Sequence, residues 1–127
     1  MDEKIRSHKD LQVWQEAMVL VTEIYRLSEN FPEFEKFGLT SQIRRSAISI
    51  PSNIAEGFAR KGNKELIQFL YISIGSLSEL ETQYEIAKNL NYIKEAKEIT
   101  DKIIFIRIML SNLIKSIKNK QQGDGKY

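Results

Sequence analysis

From about residue 10 to residue 119, apolar positions recur every three or four residues in four blocks, the period of helices that bury one face. The first block predicts a helix from Asp10, read as its N-cap, to Glu29. Leu11, Trp14, Met18, Val21 and Tyr25 keep heptad spacing there, and Val13, Ala17, Leu20, Ile24 and Leu27 lie beside them. A second helix is predicted over Thr40–Ala59, its stripe being Leu39, Ile43, Ala47, Ile50 and Ile54. The third, capped by Asn63, reaches Asn89 on Leu66, Leu70, Ser73, Leu77, Leu80, Tyr84 and Ala87, flanked by Ile67, Tyr71 and Ile74. The fourth spans Lys94–Asn119, and its run Ile103–Leu110 leaves almost no polar face. Asn30–Gly38, Arg60–Asn63 and the turn at Asn91 are the connections.

Four helices with short connections imply an all-α, up-down-up-down antiparallel four-helix bundle over residues 9–119. Residues 1–8 read as a flexible start and 120–127 as a disordered tail. The apolar stripes are wider than one bundle needs. That surplus, greatest on the fourth helix, predicts a homo-oligomer. Gly75, among Ser73, Ser76 and Ser78, sits where a glycine costs about 1 kcal/mol against alanine. It is expected to admit a close backbone approach, by a neighbouring helix or another subunit.

The second helix carries a polar stripe beside its apolar one: Gln42, Arg45, Ser49, Ser52 and Glu56, with Ser46 and Asn53 adjacent. Pro51 interrupts it, frees the Ala47 carbonyl and predicts a kink, a local loss of about 3 kcal/mol in an ordinary helix interior. Short polar side chains around a proline suit a surface that meets a second subunit or a polar ligand. The plainer alternative is a kinked surface helix whose serines bond back to freed carbonyls.

The run Ser49-x-Pro51-x-Asn53-Ile-Ala-Glu56-Gly57 resembles the signature of a four-helix-bundle family. That family includes 23S rRNA intervening-sequence proteins and the accessory proteins of diversity-generating retroelements. Leu11-Gln-Val-Trp14, Phe31-Pro32 with Glu35 and Phe37-Gly38-Leu39, Phe69-Leu70, Ile74 to Leu80, and Leu90 to Ile93 extend the likeness over about residues 9 to 95. The resemblance implies a small bacterial bundle that, in its retroelement branch, forms a basic pentameric ring touching nucleic acid and a reverse transcriptase. Ser49, Pro51, Asn53, Glu56, Gly57, Gly75, Ser76 and Glu79 are the positions expected to serve assembly or packing.

Composition narrows the chemistry. No cysteine is present, so disulfides, thiolate metal sites and thiol nucleophiles are excluded. No apolar run is long enough to span a membrane and the start lacks a signal-peptide core, which fits a cytoplasmic protein. The lone histidine, His8, is placed in the expected flexible start, away from any bundle site. Facing acids, Glu95, Glu98 and Asp101 against Glu79, Glu81 and Glu85, could hold Mg²⁺ as in helical pyrophosphohydrolases. Acids in first helical turns and a Glu98 pair to Lys94 or Lys102 explain them better. No catalytic residue, metal or cofactor is therefore assigned.

Net charge is +2, but it is uneven: acidic residues dominate the first forty positions and basic ones the end, with Lys115, Lys118, Lys120 and Lys126. Those lysines also answer a helix C-terminal dipole. Arg44 and Arg45, with Arg60, Lys61 and Lys64, are the candidate nucleic-acid contacts, since arginine and lysine suit phosphate. Adjacent arginines project about 100° apart, so one is expected to pair internally with Glu56 or Glu79. No aromatic platform interleaves the set, which argues against base reading. The chain thus reads as a non-enzymatic, oligomeric RNA/DNA-binding or scaffolding protein. The alternative is a structural interaction module whose charges are solvated.

Overall fold

The computed structural model describes residues 7–125. The expected flexible start falls mostly on residues 1–6, and the last of the expected tail on 126–127; both lie outside the described residues. Four helices form: α1 (Gln12–Ser28), α2 (Leu39–Phe58), α3 (Asn63–Asn89) and α4 (Lys97–Gly125). Among the described residues there is no strand.

Helix ends differ from expectation for local reasons. Asp10 is not the N-cap of α1; Leu11 holds that position without a side-chain bond. Asp10 instead closes a short 3-10 turn over His8–Asp10, where Ser7 and Asp10 bond each other's backbone reciprocally. His8 belongs to this turn and meets Trp14 edge-on at 5.2 Å. At α3 the cap position is Gly62, and Asn63 is already helical. The α3 terminus is closed as a Schellman motif: Tyr92 N–H bonds Ala87 O at 3.0 Å and Asn91 N–H bonds Lys88 O at 2.9 Å. Asn91 takes the left-handed conformation there, φ 61°.

α4 begins at Lys97 rather than Lys94 because Tyr84 claims the preceding backbone. Its hydroxyl accepts from Ala96 N–H at 2.6 Å and donates to Ala96 O. The far end is helical to Gly125, past Asn119, over part of the segment expected to be a tail. α2 is helical through Pro51.

Each helix packs on its chain neighbour, and α4 returns to α1. Pairs such as Ser46 with Gln83 and Ser49 with Ser76, rising along α2 and falling along α3, show the antiparallel direction. The core holds Leu20, Ile24, Ile50, Ile54, Leu70, Leu77, Leu80, Ile106 and Leu110, each fully buried. Burying one such side chain is worth about 1.5–3 kcal/mol. Of the two α1 stripes, Val13, Ala17, Leu20 and Ile24 form the core. Met18 and Tyr25 stay exposed.

Candidate nucleic-acid interface

Three residues of the polar face of α2, Ser46, Ser49 and Asn53, turn into the chain's own α2–α3 seam. Ser46 donates to Gln83 Oε1 at 2.7 Å, and Ser49 shares a 2.8 Å hydrogen bond with Ser76. Asn53 donates to Ser49 Oγ and to its carbonyl, both at 2.8 Å. From α3, Ser73 donates to Ile50 O, the carbonyl just before Pro51, at 2.9 Å. Every buried side-chain polar atom among the described residues has a partner. Small side chains let the helices approach closely, and hydrogen bonds then satisfy the groups that this approach dehydrates.

Gly57 closes the seam. A Cβ there would lie 2.9 Å from Phe69 Cβ and 3.1 Å from Leu66 Cδ1. Gly75 corrects the expectation of a close approach by a neighbouring helix: its Cβ would meet nothing within 4 Å. The glycine that admits a helix is Gly57. Pro51 turns the other way, toward α1, where with Trp14, Met18, Val21, Ile48 and Ala55 it lines an apolar cleft of about 330 Å³. Gln42, Arg45, Ser52, Glu56 and, on α3, Glu79 remain exposed.

The candidate basic residues divide into two places. Arg44 is consumed at the end of α1: Nε donates to Ser28 Oγ at 2.7 Å and Nη2 to Tyr25 O at 3.2 Å. Its guanidinium also lies 4.6 Å from the Tyr25 ring centre. A cation bonded to a terminal carbonyl answers the helix dipole, so Arg44 is a clamp between α1 and α2. Arg45 is exposed and makes no hydrogen bond or ion pair with the described residues. Neither arginine pairs with Glu56 or Glu79. Glu56 is taken by Arg60 at 3.2 Å.

α2 runs about 20 Å from Arg45 to its end at Phe58, at a rise of 1.5 Å per residue, so Arg60, Lys61 and Lys64, around the turn that follows, form a separate place from Arg45. Arg60 is 5.0 Å from the Phe69 ring centre. Lys61 and Lys64 are exposed without an acidic partner among the described residues. The antiparallel fold brings the end of α4 to this same end. Lys118 Nζ donates to Tyr71 Oη of α3 at 2.9 Å, and Lys115 and Lys120 are exposed nearby on α4. Sequence separation hid this gathering, because Lys118 and Tyr71 are 47 positions apart.

Four of the six acids considered for Mg²⁺ are taken up in ion pairs. Glu81 binds Arg107 at 2.8 Å; Glu85 and Glu95 flank Lys88 at 3.0 and 2.9 Å, raising the lysine pKa. Asp101 holds Lys97 at 2.9 Å. Lys102 does not pair with Glu98; it crosses to Glu16 and Glu23 of α1 at 2.8 and 3.9 Å. Among the described residues no cluster of three or more ligating side chains could hold a metal. No helix of the described residues is long and apolar enough to cross a membrane.

The family model of the 23S rRNA-intervening sequence protein matches residues 9–112. The chain belongs to that family. A solved structure, described as a protein with unknown function from the S23 ribosomal protein family of Bacteroides thetaiotaomicron VPI-5482, is similar at 25% identity and a TM-score of 0.74. The match covers 81% of this chain and 98% of that one. No functionally curated protein matches. The 23S rRNA-intervening sequence match takes in the α2–α3 seam and the Arg60 turn. It stops before Lys115, Lys118 and Lys120, so half of the basic end lies beyond the family region.

Proposed function

We propose that this member of the 23S rRNA-intervening sequence family is a non-enzymatic, self-associating cytoplasmic protein that binds RNA or DNA through the phosphate backbone. The observation that carries the reading is the basic end, where Lys61 and Lys64 have no acidic partner among the described residues and α4 brings Lys118 back onto Tyr71 in the first half of α3. Repetition around a homo-oligomer, a pentamer by the family resemblance, would multiply a modest patch into a multivalent one. A reverse transcriptase is the protein partner that the retroelement side of the resemblance implies.

The test is a filter-binding titration of RNA and DNA across salt concentrations, with Arg60, Lys61 and Lys64 changed together to glutamine. Each phosphate neutralised contributes a slope of about −0.9 in log K against log salt on duplex DNA, or about −0.7 on single strands. The wild type is expected to show several units, and the triple variant a flatter slope with assembly intact. An intact oligomer that binds nothing at low salt would leave the structural-module reading. That reading draws support from apolar residues left uncovered, Ile104, Phe105 and Ile108 on α4 and Phe34 and Phe37 in the first connection.

A further inference from the structure

The outer furrow between α3 and α4 has a basic half built from Lys64, Tyr71, Lys115 and Lys118. Lys64 and Tyr71 are two turns apart on one face of α3, about 10.5 Å along it. Lys118 crosses from α4 to the Tyr71 hydroxyl at 2.9 Å, while its ammonium stays 5.2 Å from the ring centre. A single ammonium held at the hydroxyl end can screen at most one face of the ring and leaves the other uncovered by it. Tyr71 is 49% exposed. Lys115 stands one turn back along α4, exposed, and neither it nor Lys64 has an acidic partner among the described residues. One turn beyond Tyr71 on α3, the space beside Gly75 is open.

An open aromatic face among unpaired lysines is what a single strand needs. Its phosphates take the ammonium groups, and an unpaired base takes the ring. A duplex keeps its bases stacked on one another and has only phosphate to offer here. We propose that this half of the furrow binds a single-stranded nucleic-acid segment, with a base stacked on Tyr71 and adjacent phosphates on Lys64, Lys115 and Lys118. The inference rests on the nucleic-acid reading and refines it. The site lies partly outside the family region, and it supplies the aromatic that the sequence pattern failed to reveal: Tyr71 looked like a flank of the α3 core stripe.

The probes are a mixed-sequence single-stranded RNA and the same strand paired with its complement, followed by fluorescence anisotropy. Wild type is expected to prefer the single strand. Tyr71→Leu should weaken single-strand binding by about 5- to 150-fold, the usual range for losing one stacked base, and leave duplex binding nearly unchanged. Tyr71→Phe keeps the ring, loses the bond to Lys118, and should retain most of the preference. Lys64→Gln should reduce the single-strand salt slope by about 0.7. Equal binding of both probes, unaffected by Tyr71→Leu, overturns the single-strand site while the broader reading survives. Binding of neither probe overturns both. Light scattering on each variant completes the test: if Tyr71→Leu breaks the assembly, the furrow is a subunit contact and the inference falls.

Discussion

A methyl group added at Gly57 would press on Phe69 Cβ at 2.9 Å, close to the α3 backbone, where nothing flexible can yield. Gly57→Ala is therefore expected to cost about 1–3 kcal/mol by overpacking, read as a lower urea midpoint. Gly75→Ala has open space around it and should gain about 0.5–1 kcal/mol from helix propensity. A loss of stability or of assembly at Gly75 would instead mean that another subunit lies against it. In the sequence Gly75 stood out as a mid-helix glycine and Gly57 only as part of the family signature, but which one meets a helix depends on the register of two elements. Arg44 teaches the same lesson. Its residue type suited phosphate, yet its partner Ser28 is 16 positions away and already claims the guanidinium.

At the scale of the element, α2 starts without a side chain at its own cap, since that position is Gly38. Glu35 caps it from the preceding turn, accepting Leu39 N–H at 3.0 Å through one oxygen and Tyr92 O–H at 2.8 Å through the other. Chiefly the Leu39 bond, then the Tyr92 bond, holds the Glu35 carboxyl below its usual range. A depressed folded pKa gives stability that is full above the unfolded value and lost as pH falls through the folded one. The gap in melting temperature between wild type and Glu35→Gln should thus be widest at neutral pH and shrink below about pH 4–5. A gap that does not change with pH would mean the carboxylate charge contributes nothing. The four helices were legible from period alone, because a buried stripe needs only local spacing. The late start of α4 was not, since it depends on Tyr84 reaching Ala96 across the turn.

The folded chain leaves Ile104, Phe105 and Ile108 uncovered on one side of α4. Isolated exposed apolar residues are ordinary, but three on one exposed helix face are the kind of patch that subunits cover. Light scattering is expected to give a particle larger than one 14.8 kDa chain. Ile108→Glu should reduce that mass without loss of helical signal. A monomer at micromolar concentration in the wild type would defeat the self-association reading. The wide stripe on α4 announced surplus apolar surface in the sequence. The basic end did not announce itself, because it joins a turn near residue 60 to lysines near residue 118.

The return of α4 onto α1, sealed by Lys102 against Glu16, joins residues 86 positions apart, whereas the other helix pairs are neighbours in the chain. Local pairs form with little loop to close, and the long-range seam has the largest closure entropy to overcome. Refolding should therefore run as an ordered assembly, with amides of α2 and α3 protected from exchange before those of α4. Pulsed hydrogen exchange would read that order directly, and simultaneous protection of all four helices would count against it.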